Sequence, residues 1–266
     1  MVEKETSAWV AEKRNSLAID CRSCAGLCCV SLYCAKVDGF PENKAAGVPC
    51  KYLEKDFRCR IHDSLQDRGL KGCMAYDCFG AGQKTTQIFR SRGDWKENPV
   101  ISAEMFRVFH RIFQLHQMKW FLLEALALAD AEGSKEEIRS LIGENEEITG
   151  IVPEEIGAYD IEPYRRRVNP LLKDVIRKKG GGFIKGSDNR DFTMAILIGS
   201  DFSKQSLGES LFLGADLRDA NLAGADLSKC YFLTQMQINS AKGDQYTKLP
   251  SGLSRPQNWV PQEKSR

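Results

Sequence analysis

An excess of charge of one sign is missing from this chain. Its 38 Lys and Arg stand against 36 Asp and Glu, for a net charge of +2. A near-neutral total argues against the strong field that draws a protein to nucleic acid or to a membrane surface. Long apolar runs are missing too. The longest, WFLLEALALA at 120–129, carries Glu124. It falls short of the ~20 residues that span a bilayer and predicts a buried helix. The opening residues, MVEKETSAWVAEKRNSLAID, mix both charge signs and hold no apolar core of signal-peptide length. They predict a polar helix over 1–19 and a cytoplasmic location, where thiols stay reduced.

Familiar catalytic patterns are also absent. No Ser/His/Asp set and no His/carboxylate pairing stands out. FGAGQ at 79–83 has glycines but no Lys-Ser/Thr of a phosphate loop, so Gly80 and Gly82 are expected to shape a turn. Of the three histidines, His110 and His116 are six apart in a predicted helix. That places them about 240° apart around it, with no joint site and structural roles.

Cysteine is what the chain does have. Nine of its ten cysteines fall between Cys21 and Cys78. CRSCAGLCC at 21–29 opens the cluster with Cys21, Cys24, Cys28 and Cys29; Cys34, Cys50, Cys59, Cys73 and Cys78 follow. Disulfides fit a reduced compartment poorly, and buried structural thiols do not usually cluster at ligand spacings. A C-x2-C step lets two thiolates reach one ion. Cys21, Cys24, Cys28, Cys29, Cys50, Cys59, Cys73 and Cys78 would fill two four-thiolate sites for zinc or iron–sulfur clusters. Adjacent Cys28 and Cys29 would divide between them. Cys34 in VSLYCAKV is expected to pack, and His62, three residues after Cys59, to stay outside the ligand set.

Residues 20–95 therefore form an expected Cys-rich metal-binding domain. Residues 100–179 have helical periodicity. Ser102 is placed as one cap, Ser134 and Glu137 as a capping box, and Asn169-Pro170 as a helix start. The glycine run within 180–189 reads as a linker.

Residues 190–232 follow another rule. Phe192, Leu197, Phe202, Leu207, Phe212, Leu217, Leu222, Leu227 and Phe232 recur at a spacing of five. Five residues turn a helix by about 500°, and in a strand that spacing changes face each time. A coil that turns a corner every five residues can gather all nine on one axis. Two residues earlier stand mostly small side chains, among them Ala215, Ala220, Ala225 and Cys230. Cys230 is thus expected in the core. ADLRDANLAGADLSK at 215–229 resembles the pentapeptide-repeat family, which implies a right-handed quadrilateral β-helix of about two coils. Residues 233–266 would cap it, with a short helix from Thr234 to Gly243 and Trp259 folding back.

The cysteine-rich segment resembles a second family, the zinc- or iron-chelating CxxCxxxC domain. The resemblance rests on Cys21, Cys24, Cys28 and Cys29; Cys50 with Leu53; Cys59, Ile61 and His62; and Cys73, Tyr76 and Cys78. Arg68-Gly69 stands where that family usually has Arg-Pro. A flagellin lysine N-methylase carries a related cysteine domain, so the resemblance leaves an enzyme open.

Together these features predict a multidomain α+β protein: Cys-rich knuckle, helical middle and short β-helix solenoid. Its expected role is that of a metal-binding scaffold with a protein partner. The alternatives are an iron–sulfur or metal-dependent enzyme, and a gyrase-binding DNA mimic. The mimic needs a longer and more acidic solenoid than this one.

Overall fold

A computed structural model describes residues 2–179 and 190–260, with side chains from residue 8 onward. The expected linker at 180–189 and the tail beyond 260 lie outside the described residues. The chain forms two compact units whose segments alternate along the sequence. The first gathers the residues up to Cys34, Asn43–His62 and Cys78–Lys179. The second gathers Ala35–Glu42, Asp63–Asp77 and the described residues from 190 onward.

The first unit is helical: α1 (Val2–Asn15), α2 (Leu27–Ser31), α4 (Ala81–Phe89), α5 (Pro99–Leu128), α6 (Glu132–Ile148), α7 (Pro153–Ala158) and α8 (Glu162–Lys178). The second unit holds α3 (Lys71–Ala75) and α9 (Gln235–Ser240). Helix α5 is the axis of the first unit. Met105, Phe109, Ile112, Leu115, Leu122 and Leu126 are all buried along it. A helix apolar on most sides belongs inside a protein core, and no helix among the described residues is long and apolar enough to cross a membrane.

The helix starts differ from those expected. Asn98, not Ser102, caps α5: its side chain accepts from Val100 N–H at 2.8 Å, and Pro99 opens the helix. Ser102 Oγ donates instead to the carbonyl of Trp95. Helix α6 begins at Glu132, so Ser134 lies inside its first turn and forms no capping box. Pro170 sits within α8 rather than at its start. Tyr164, Val168, Leu171, Leu172, Val175 and Ile176 form one buried stripe across it. Burial of that stripe outweighs the backbone hydrogen bond that proline removes.

In the second unit each pentad is a turn. The carbonyl of each large apolar residue accepts from the N–H three residues on, from Ala195 N–H to Phe192 O at 3.0 Å through Cys230 N–H to Leu227 O at 2.9 Å. Gly199, Gly214 and Gly224, each two residues after a large apolar residue, have φ of 68°, 66° and 67°. That left-handed conformation is the one a type II turn needs at its third residue. Circuits join at a spacing of twenty residues: Asp191 pairs with Leu211, Ile196 with Asp216, Asp201 with Asn221 and Ser206 with Asp226.

These are isolated bridges. The expected α+β class with a quadrilateral β-helix is corrected here: the protein is 47% helical, and no strand or sheet forms among the described residues. The physical reason lies in the turns. Each pentad offers one bridging residue and then spends its next backbone groups on the corner, so pairing never runs on into a strand.

The apolar axis does gather as the spacing requires. Phe212, Leu217, Leu222, Leu227 and Phe232 are buried, as are Ala215, Ala220, Ala225 and Cys230. Cys230 Sγ donates to Leu207 O at 2.9 Å, and burial pushes its pKa up to about 12. Phe192, Leu197 and Phe202, in the first circuit, are only partly buried. Helix α9 follows the repeat with a reciprocal cap between Thr234 and Gln237. Trp259 folds back onto it, donating from Nε1 to Ala241 O at 3.3 Å.

Candidate functional site

The thiols are placed by short turns. Asp20 accepts from Arg22 N–H at 3.0 Å and closes the tight turn Cys21–Ser23. Gly26 follows with φ of 67°. A Cβ there would stand 2.8 Å from Leu53 Cδ1 and 3.2 Å from Phe57 O, so the chain needs glycine to enter α2. Helix α2 carries Cys28 and Cys29, whose sulfurs are 3.9 Å apart. Cys50 N–H donates to Cys29 O at 2.9 Å, and Cys59 bridges Leu53. Cys78 ends an extended stretch ahead of Phe79 and Gly80, both at positive φ, and its carbonyl accepts from Ala81 N–H at 2.9 Å.

Helix α4 supplies the floor. A Cβ on Gly82 would lie 2.7 Å from Cys24 Sγ and 3.8 Å from Cys78 Sγ. The glycine thus leaves a cradle that two sulfurs share. One turn on, Thr86 Oγ1 accepts from Ala25 N–H at 2.9 Å and donates to Gly82 O at 2.9 Å. That pair of bonds fixes the strand of chain bearing Cys24 against the cradle.

The thiols act on one another. Cys21 is pushed up to about 11, first by burial and then by negative charge on Cys24, Cys78 and Cys29. The hydrogen bond that Cys28 and Cys29 share raises Cys28 far above the usual thiol range and lowers Cys29. The Lys44 ammonium lowers Cys29 further. Cys59 is raised by burial and by Cys29 and Cys50.

The expected set is therefore brought together in part. Cys21, Cys24, Cys28, Cys29 and Cys78 share one neighbourhood, and Cys50 and Cys59 lie toward Cys29. Cys73 is on α3, in the second unit. No three Cys, His, Asp or Glu side chains among the described residues stand in a ready metal-holding arrangement. The Gly82 cradle lies beneath two sulfurs, in a group of thiols whose burial and mutual charge oppose ionisation. Cys34 pairs by backbone with Lys44, and His62 is exposed.

Three contributors escaped sequence reasoning. Lys44 Nζ donates to the carbonyls of Leu32 at 2.6 Å, Val48 at 2.8 Å, Ala45 at 3.2 Å and Val30 at 3.3 Å. Thr86 and His116 are the others. His116 Nδ1 lies 2.7 Å from Phe79 O, one residue beyond Cys78. None carries a local signal, because each acts across the fold.

Comparison with known proteins places the chain. A family model for pentapeptide repeats matches residues 195–232 in 8 copies. The uncharacterized protein YybG of Bacillus subtilis (strain 168) is 39% identical over 264 residues, covering 91% of this chain and 95% of that protein. The chain belongs to the YybG family. No solved structure matches it. The repeat match does not reach the cysteine-rich segment, whereas the near full-length relation to YybG spans both.

Proposed function

We propose that this member of the YybG family is a protein-binding scaffold whose first unit carries a thiolate site for zinc or an iron–sulfur cluster. The repeat supports the scaffold role: stacked turns present a regular outer surface, and Met194, Ile196 and Ile198 on the first circuits are exposed. The Gly82 cradle beneath Cys24 and Cys78 carries the metal reading. Cys21, Cys28 and Cys29 are the further donors in reach. A bound cation would hold these thiols as thiolates and relieve their mutual repulsion.

Metal analysis with an absorption spectrum on anaerobically purified protein tests this reading. Cys24→Ser and Cys78→Ser should each lose most of the metal, while Cys230→Ser should keep it. Equal metal loss in all three, or metal-free wild type after reconstitution with zinc and with iron and sulfide, would sink the reading. Brown protein with stoichiometric sulfide selects the cluster; colourless protein with bound zinc selects the ion. A photo-crosslinker at position 196 that yields no protein adduct in cells would argue against docking through the first circuit.

A further inference from the structure

In the first unit, α1, α4 and α5 gather positive charge. Lys13 and Arg14 lie in the last turn of α1, Lys84 on α4 and Lys119 on α5. One carboxylate, Glu146 on α6, meets two of them: Lys119 Nζ donates to it at 2.6 Å and Lys13 Nζ at 2.9 Å. Lys119 is buried, with 6% of its side chain exposed. Burial lowers its pKa and Glu146 opposes that, while Lys13 and Lys84 add to the lowering. Lys84 acts on His116 as well. Two cations therefore share Glu146, with Lys84 close enough to act on Lys119.

Two aromatic rings stand beside these cations. The Arg14 guanidinium stacks over Trp120 at 5.2 Å, and Lys13 Nζ lies 5.4 Å from the Trp9 ring. Arg14 Nε–H and Trp120 Nε1–H are both buried, and neither has an acceptor among the described residues. Buried donors are almost always satisfied in native proteins. Two orphans in one stacked pair, on the helices that carry Lys13 and Lys119, point to an acceptor that the described residues do not supply.

We propose that α1, α4 and α5 frame a site for a small multivalent oxyanion, a phosphate or polycarboxylate group, that accepts from Arg14 and Trp120 and is balanced by Lys84. Such a ligand has the lone pairs to take both orphan donors at once. Guanidinium and ammonium groups are its usual partners.

The test is thermal unfolding and tryptophan fluorescence of the full chain titrated with phosphate, pyrophosphate or citrate. Sodium chloride holds ionic strength constant. At least one probe should raise Tm saturably and shift the fluorescence. Lys84→Gln, at a half-buried position, should weaken that probe at least tenfold, as should Arg14→Gln, while Lys204→Gln in the repeat should leave it unchanged. Should Arg14→Gln fail to fold, Lys84→Gln decides. The same response in wild type and Lys84→Gln, or no response to any of the three probes, overturns the proposal.

Discussion

His116 shows how burial sets the behaviour of one residue. Its ring is 6% exposed, and burial, with Lys119 and Lys84 nearby, lowers its pKa from 6.5 to about 4 against the raising effect of Phe79 O. The neutral ring is thus the folded form, with the Nδ1–H donating to Phe79. Protons bind the unfolded chain more readily between those two values. Its contribution to stability is complete above pH 6.5 and is lost as pH falls toward 4. By pH 5 the loss should reach about 2 kcal/mol. Urea midpoints at pH 7 and pH 5 should show this, and His116→Gln should flatten the difference. Glycine gives a second test at this scale. Gly199 has φ of 68° and open space around its Cα, whereas Gly143 lies within α6, also with open space. Gly199→Ala should therefore cost about 1 kcal/mol. Gly143→Ala should gain roughly 0.5–1 kcal/mol. A shared sign in chemical denaturation would contradict the backbone argument.

Among the elements, α2 and the loop after it depend on a side chain far along the sequence. Lys44 gives one ammonium to four carbonyls, two of them at the end of α2, where the helix dipole favours a cation. Its backbone pairs with Cys34 by N–H to O bonds of 2.9 and 3.0 Å. Lys44→Met should leave those carbonyls without their charged donor and cost ~1–3 kcal/mol. It should also slow alkylation of Cys29, since the ammonium no longer favours the thiolate; an unchanged rate in mass-spectrometric footprinting would show that Lys44 only shapes the loop. Local sequence signals worked where the element supplies its own reward. A short helix follows Thr234, ending at Ser240 rather than Gly243, and the five-residue spacing selects the buried side chains from Phe212 to Phe232. They failed at Ser134 and Asn169-Pro170, where a continuous buried stripe decides where the helix begins. The family resemblance, in turn, implied a β-helix where the described residues form only isolated bridges.

The whole molecule interleaves its units, and composition gives no hint of it. Ala35–Glu42 and Asp63–Asp77 lie in the cysteine-rich stretch by sequence but fold with the repeat. Helix α3 packs on α9, where Asn239 Nδ2 donates to Met74 O at 3.2 Å, and Lys71 pairs with Asp219 at 3.0 Å. A Cβ on Gly39 would stand 1.8 Å from Gly69 O, so the two excursions meet backbone to backbone. A chain ending at Lys179 should leave them without support. Limited proteolysis should then cut within 63–77, while the intact chain resists there; equal resistance would mean that the excursion folds without the repeat.

What the sequence determined by itself is periodic or short-ranged: the apolar axis of the repeat, its small inner residues, the short helix after Thr234, the helical middle and the crowding of thiols. Those follow from spacing, because neighbours along the chain are neighbours in the turn. Tertiary structure alone decided that Cys73 folds with the repeat, that Gly82 opens a cradle under Cys24, and that Lys44, Thr86 and His116 brace the thiol turns. Each depends on segments brought together from tens of residues apart, where packing and the satisfaction of buried polar groups outweigh any local preference.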